Sequence, residues 1–295
     1  MATPKVWIDG HVVPSPQAVV SVHDRAFRSG EGVFETLRAY GDHPFRADAH
    51  VQRAVAGAAA IGIDLTATTL HRGLDELLAA NAEIFAGRDS VLRLTASAGE
   101  IDPDSVFPGT PASGARGEPT IVVTSHRFQD DPRLTREGVR AVTLPMAREM
   151  PEVKAVSYLV AVAARQMAAA RGVDEALLTS PDGMLLEAAS ANLAVVRNGV
   201  LVTPPVESGV LAGVTRKVMI EVAGRAGLGV DERPVHRGEL AAADEAVLTA
   251  TTREIIPLVE VDGEPVGDGR PGAASAALLA AYHAEVARER AAAGR

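Results

Sequence analysis

Pro151-Glu152-Val153-Lys154-Ala155-Val156-Ser157-Tyr158-Leu159-Val160 is the stretch whose reading decides the fold. The chain holds only three lysines, Lys5, Lys154 and Lys217, and meets its other needs for fixed positive charge with arginine. Lys154 stands between apolar neighbours, just ahead of a helix-patterned run. An amine so placed is partly desolvated, which favours its neutral, nucleophilic form. That is the form in which a lysine condenses with a carbonyl. For a lone lysine the plainer reading is a snorkelling surface residue at a helix start, so the downstream sequence has to decide.

Downstream come Gly183-Met184-Leu185-Leu186-Glu187-Ala188-Ala189-Ser190-Ala191-Asn192, then Thr203-Pro204-Pro205 and Gly209-Val210-Leu211-Ala212-Gly213-Val214-Thr215-Arg216. Gly213 opens a helix with Val218, Met219, Val222 and Ala226 as its apolar stripe, and the free N–H groups at such a helix start make an anion site. In order and spacing these segments resemble the class IV, fold-type IV pyridoxal-phosphate enzymes: branched-chain and D-amino-acid aminotransferases and aminodeoxychorismate lyases. The resemblance covers essentially the whole chain. It implies an α/β (α+β) fold of two domains, a small N-terminal one and a larger C-terminal one, with the site between them and a homodimer whose partner chain closes part of it.

The same resemblance implies roles for particular residues. Lys154 would hold pyridoxal 5'-phosphate covalently, and Glu187 would keep the cofactor's pyridine nitrogen protonated, making the ring an electron sink. Val214 and Thr215 would hold the phosphate through their N–H groups. Thr251, in Ala250-Thr251-Thr252-Arg253-Glu254-Ile255-Ile256-Pro257, falls on the family's phosphate-binding threonine. Arg53, in His50-Val51-Gln52-Arg53-Ala54, matches the His-x-x-Arg element, with Ala54 in place of the usual leucine. Tyr158 is a candidate partner for the cofactor's phenolic oxygen. The family's Glu-Gly-Ser-Ser-Ser-Asn is here Glu187-Ala188-Ala189-Ser190-Ala191-Asn192, which removes hydroxyls near the cofactor but leaves the pyridinium contact.

Composition narrows the alternatives. A chain of 295 residues is long enough for two domains, and with 47% hydrophobic but only 3% aromatic residues its cores must be built from Ala, Val and Leu. The net charge of -9 argues against a nucleic-acid partner. The absence of cysteine excludes disulfides and thiolate chemistry, and the eight histidines show no zinc-binding spacing, so no metal is expected. Neither a signal peptide nor a membrane-spanning run is apparent, and the expected compartment is the cytoplasm.

Taken in order, Val6 to Val13 reads as a hairpin turning at Asp9-Gly10, and Val33 to Phe45 as a second with Gly41-Asp42 near its tip. Asp48 is the expected N-cap of a helix bearing Val51, Ala54, Val55 and Ala58. A helix carrying Leu70, Leu74, Leu77 and Leu78 follows, then strands at 91–95 and 120–124 around a long Gly/Pro-rich loop from Gly99 to Glu118. Gly30 and Gly32 lack the third glycine and following helix of a dinucleotide loop. Phe128 to Pro132 suggests a linker, giving domains 1–127 and 134–295 joined by 128–133. The helix after Lys154 should run to about Ala170 and bury Leu159, Ala163, Met167 and Ala170. Hairpin turns are expected at Asp182-Gly183 and Asn198-Gly199, and a structural helix from about Ala273.

In a strand, Phe34, Thr36 and Arg38 point to one face, where an arginine fork suits a substrate carboxylate. Phe34-Glu35-Thr36 is similar to the lyase branch, as is Ser157-Tyr158. Arg38 instead matches the branched-chain aminotransferase pattern, and Thr95-Ala96-Ser97-Ala98-Gly99-Glu100 lacks the Arg-Gly often found there in lyases and D-amino-acid enzymes. The expectation is therefore transamination between an apolar, branched-chain or related amino acid and a 2-oxo acid. The alternatives are aminodeoxychorismate lyase and a pyridoxal-phosphate-binding protein that has lost catalysis.

Overall fold

The computed structural model describes residues 3–101 and 118–294. It divides into two compact units, Met1–Gln129 with Val153–Ser157, and Asp130–Glu152 with Tyr158–Arg295. Most of the expected Gly99 to Glu118 loop lies outside the described residues. The segment bearing Lys154 belongs with the first unit, whereas the sequence reading assigned it to the second domain. The reason is main-chain pairing: Phe34 N donates to Lys154 O at 2.9 Å and Val156 N to Gly32 O at 2.8 Å.

The first unit is an antiparallel sheet with two principal helices. β1 (Lys5–Ile8) and β2 (His11–Pro14) form the expected hairpin, its turn made by Asp9 and Gly10 at positive φ. α1 (Arg25–Ser29) leads into β3 (Gly32–Tyr40), which turns back into β4 (His43–Pro44). α2 (Ala47–Ala60) and α3 (Ala67–Phe85) precede β5 (Ser90–Ser97) and β6 (Ile121–Arg127). The strand order is β2-β1-β6-β5-β3-β4. Val33, Leu37, Val51, Leu74, Leu92, Leu94 and Trp7 belong to one buried cluster, so alternate residues of β3 face the helices. Arg46, in the left-handed region, is the N-cap of α2, and Asp48 is not. Asp48 lies in the first turn instead, where a carboxylate still meets the positive helix end.

The second unit is a mixed sheet in the order β12-β11-β10-β14-β15-β7-β8-β9-β13, with β16 on β15. α4 (Arg133–Arg136) precedes β7 (Val139–Leu144), and α5 (Leu159–Ala170) precedes β8 (Glu175–Thr179), β9 (Met184–Ala188), β10 (Asn192–Arg197) and β11 (Val200–Thr203). Then come α6 (Val214–Ala223), β12 (Gly229–Glu232), β13 (Val235–His236), β14 (Glu245–Ala250), β15 (Glu254–Val261), β16 (Glu264–Pro265) and α7 (Ala273–Ala293). The Gly183 and Asn198-Gly199 turns and the last helix fall where the sequence places them.

α5 differs from expectation in two respects. It starts at Leu159, because the residues before it are extended against β3. Its buried face is Ala161, Ala164 and Ala168, while Leu159, Val162 and Met167 are exposed. The helix is apolar nearly all round, so periodicity could not select a face, and the alanine face allows the closest approach to β8. Among the described residues no helix is long and apolar enough to cross a membrane.

Gly32 lets the Lys154 segment close on β3: a Cβ there would stand 2.7 Å from Ala96 O and 3.1 Å from Val156 Cγ2. Gly32→Ala should therefore cost about 1–3 kcal/mol of stability through overpacking. Thermal denaturation of the variant checks this, and an unchanged midpoint would show that the contact relaxes freely.

Candidate active site

In the first unit, β3 presents Phe34 to two cations. Lys154 Nζ lies 4.6 Å from the centre of the Phe34 ring, and Arg93 Cζ lies 3.5 Å from it. Both distances are those of cation–π contacts, which hold a cation over an aromatic face. Arg93 comes from β5 as the register partner of Thr36, while Thr95 faces Phe34. An amine, an apolar ring and a guanidinium thus share one place. Sequence reasoning passed over Arg93, because its importance depends on the register of two strands more than fifty residues apart.

The opposite face of β3 carries Glu35, which has no exposed surface. Its Oε1 accepts from Arg53 Nε at 2.7 Å and its Oε2 from Arg53 Nη2 at 2.7 Å, a two-pronged pair. His50 Nδ1, one turn earlier on α2, is 2.7 Å from Oε2. Burial alone would raise the Glu35 carboxyl, but Arg53 and His50 outweigh it and hold the pKa at about 2. Burial keeps the His50 imidazole below the usual histidine range, against the pull of Glu35. The structure thus gives Arg53 a fixed orientation set by two residues to which the sequence reading gave no role.

Arg38 is on the expected face of β3, but its fork is engaged. Nη2 and Nε donate to Asp89 Oδ2 at 2.8 and 3.3 Å, and Cζ lies 3.6 Å from the Phe128 ring centre and 4.3 Å from that of Tyr40. Asp89 Oδ1 also accepts from Gly41 N at 3.0 Å. Phe34, Thr36 and Arg38 therefore share a strand face, yet Arg38 stands at its far end in a cluster of its own.

The second unit carries the other predicted residues, of which Glu187 lies near the end of β9. Its Oε1 accepts from Arg148 Nε at 2.8 Å, and its Oε2 from Leu211 N at 3.1 Å and Asn192 Nδ2 at 3.2 Å. Asn192 Nδ2 also donates to Leu211 O at 2.9 Å, which ties β10 to the approach to α6. Arg148, in turn, donates to Pro151 O at 2.6 Å. Arg148 was not foreseen, since an arginine in an irregular segment carries no local signal. Tyr158 donates from its hydroxyl to Ala189 O at 3.3 Å, and burial pushes its phenol up.

At the start of α6, Gly213 supplies no side-chain cap, and Val214 and Thr215 are buried. The N–H groups of a helix's first turn have no acceptor within the helix. β14, against which α6 packs, carries Thr249, whose buried Oγ1 has no hydrogen-bond partner among the described residues. Thr251 is half-buried in the turn that follows. An oxyanion is what such donors would satisfy. Among the described residues no group of three or more potential ligands could hold a metal ion.

The family model for amino-transferase class IV matches residues 32–261. The chain belongs to the class IV aminotransferases. It is 32% identical to a D-alanine aminotransferase of Bacillus licheniformis over 271 residues, which is 91% of this chain and 92% of the relative. The branched-chain aminotransferase of Thermoproteus uzoniensis, solved with norvaline, superposes with a TM-score of 0.84 at 32% identity, covering 95% of this chain and 94% of that one. The T.th. branched-chain amino acid aminotransferase complexed with N-(5'-phosphopyridoxyl)-L-glutamate gives 0.84 at 27% identity, covering 95% and 93%. The fold is accordingly that of the fold-type IV enzymes, and the cofactor of this class is pyridoxal 5'-phosphate. The residues of this aminotransferase fit that group: the oriented Glu187 carboxylate suits a pyridinium, and the α6 start, which has no side-chain cap, with the Thr249 hydroxyl, without a partner among the described residues, suits a phosphate. These relatives do not favour the lyase reading.

The Glu35 pair gives this aminotransferase a pH signature. A carboxyl whose pKa falls from 4.5 unfolded to about 2 folded contributes stability above pH 4.5 that is lost as the pH drops toward 2. A shift of that size corresponds to about 3 kcal/mol. Glu35→Gln should therefore destabilise the protein strongly at pH 7, and the gap from the parent should narrow between pH 4.5 and 2. Urea denaturation across that range tests it; a gap independent of pH would remove the charge from the explanation.

Proposed function

We propose that the chain transfers the amino group of an apolar, branched-chain or related amino acid to a 2-oxo acid, using Lys154 as its catalytic residue. The observation that carries this reading is the meeting of Lys154, Arg93 and Phe34: an amine for the reaction, a guanidinium for a carboxylate and a ring for an apolar side chain. Both substrates of a transaminase bear a carboxylate, so one cation can serve both half-reactions. In addition, the norvaline named with the Thermoproteus structure is an apolar amino acid.

In this reading Lys154, Arg53, Glu187, Tyr158, Val214, Thr215 and Thr251 are the cofactor-binding residues. The bound cofactor supplies a carbonyl carbon for amines and a ring that accepts electrons from the substrate Cα. Lys154 Nζ would hold the cofactor and would move the proton at the substrate Cα. Glu187, oriented by Arg148, Asn192 and Leu211, holds a proton on the pyridine nitrogen. Arg53, Val214, Thr215 and Thr251 anchor the phosphate, and Tyr158 donates toward the phenolic oxygen. Phe34 and Thr36 line the substrate wall with Arg93, and Arg38, paired with Asp89, secures the strand that carries them.

The reading takes the working form as a cytoplasmic homodimer. Two exposed apolar surfaces support the dimer, each within its own unit. Val19, Val22 and Phe27 lie on the segment before β3, and Phe27 is 75% exposed. Leu159, Val162 and Met167 lie on the outer face of α5, and Leu159 is 76% exposed. A monomer would leave these large side chains in water.

The test is direct. Purified protein should show a visible absorbance that borohydride removes, leaving reduced cofactor on the peptide containing Lys154, and it should follow ping-pong kinetics with an amino acid and a 2-oxo acid. Lys154→Ala should abolish turnover. Glu187→Gln should slow Cα deprotonation more than it weakens cofactor binding, and Arg53→Ala should do the reverse. Efficient formation of 4-aminobenzoate and pyruvate from aminodeoxychorismate, with no amino acid donor accepted, would overturn the assignment.

A further inference from the structure

We propose that Arg253 is a positioning residue that braces the two cofactor-holding turns of the second unit against each other. This rests on the reading above for the roles of Thr251, Tyr158 and Glu187, and it adds a residue to which neither the motif nor the mechanism gives a task. Arg253 lies two residues after Thr251 in the turn between β14 and β15. Its own N–H closes that turn by donating to Ala250 O at 3.1 Å. Its guanidinium reaches away from the turn. Nη1 lies 2.9 Å from Glu175 Oε2, and Nη2 donates to Ser190 Oγ at 2.8 Å and to Ser190 O at 3.4 Å.

Ser190 sits in the tight turn between β9 and β10, where Ala188 N donates to Ala191 O at 2.7 Å and Ala189 N to Ala176 O at 2.9 Å. Glu187 and Asn192 flank this turn, and Ala189 O is the acceptor of the Tyr158 hydroxyl. Ser190 Oγ donates onward to Glu175 Oε2 at 3.2 Å, while Glu175 Oε1 accepts from Ala176 N at 3.1 Å. One planar cation is therefore fastened to the Ser190 turn and, through its own main chain, to the Thr251 turn. Glu175, 1% exposed, is its buried counter-ion.

The local sequence explains why such a brace is useful. Ala188, Ala189 and Ala191 offer the turn no side-chain hydrogen bonds, so its side-chain anchor is Ser190. A guanidinium presents several donors in a fixed plane and can hold a carboxylate and a hydroxyl at once, whereas an ammonium acts as a point charge. Arg253 would thus fix the spacing between the pyridine-side carboxylate and the phosphate-side threonine, and catalytic geometry is sensitive to sub-ångström errors in such spacings.

The experiment compares Arg253→Lys, Arg253→Met and Ser190→Ala with the parent, reading apoenzyme melting temperature and the dissociation constant for pyridoxal phosphate titrated into apoenzyme. Arg253→Lys keeps a positive charge for Glu175 and should melt within a few degrees of the parent, yet bind the cofactor about tenfold more weakly, the equivalent of one lost hydrogen bond. Ser190→Ala, which leaves the ion pair, should weaken binding in the same direction. Arg253→Met should lose both stability and affinity. If Arg253→Lys and Ser190→Ala bind the cofactor as the parent does, the residue is only a structural counter-ion and the proposal falls. If the parent apoenzyme binds no pyridoxal phosphate, the underlying reading falls and takes this proposal with it.

Discussion

Two main-chain hydrogen bonds, Phe34 N to Lys154 O and Val156 N to Gly32 O, are the constraint on which the rest of the first unit's chemistry depends. They place five residues of distant sequence beside β3 and so decide what Lys154 meets. Because side chains alternate along a strand, the same register that sets Phe34 near the lysine turns Glu35 toward α2. A slip of one residue would exchange the two. It would put a carboxylate beside the amine and a phenyl ring against Arg53. The continuous pairing of β3 with β5 from Gly32↔Ser97 to Ala39↔Ser90 is what prevents the slip.

Buried carboxylates recur through the molecule, and four of those among the described residues are matched by arginine, whereas Asp24 accepts from Ser97 and Ala26 and Glu254 faces His283. Glu35 has Arg53, Glu187 has Arg148, Glu175 has Arg253, and Glu285 has Arg225 and Arg288. Taking a carboxylate out of water costs several kcal/mol unless a partner of good geometry is in place. The guanidinium meets that need without titrating, because it stays charged at any pH a protein survives. A chain that uses arginine for structure keeps its fixed charges apart from the amine to which the proposed reading gives the moving proton. The scarcity of lysine and the position of Lys154 are two sides of that division.

Much of this was legible in the sequence, for identifiable reasons. Hairpins with Asp-Gly and Asn-Gly turns depend on local conformation, and Asp9-Gly10 and Asn198-Gly199 indeed adopt positive φ. The start of α6 is likewise a local signal. What local signals cannot carry is register and face. Arg93 could not be singled out without knowing that it stands across from Thr36, nor could Glu35 be linked to Arg53 eighteen residues away. α5 was assigned the wrong buried face because alanines and larger apolar residues alternate around it. Its start was placed too early because the extended state of Val153 to Ser157 comes from pairing with a strand more than a hundred residues upstream.

Arg38 shows most clearly how context changes a residue's meaning. As a strand arginine on the same face as Phe34 it is a sound candidate for a substrate carboxylate. In the folded chain Asp89 already provides that carboxylate, while Tyr40 and Phe128 lie against the guanidinium. An intramolecular carboxylate is present at a far higher effective concentration than any free substrate, so a substrate reaching Arg38 would have to displace Asp89 and leave it unpaired. Arg93 lies against the ring that Lys154 also faces. Arg38 instead ties β3 to Asp89, whose main-chain O accepts from Phe128 N at 3.0 Å just before the chain leaves the first unit. The proposed reading therefore gives the substrate to Arg93, while Arg38 secures the strand that carries Phe34.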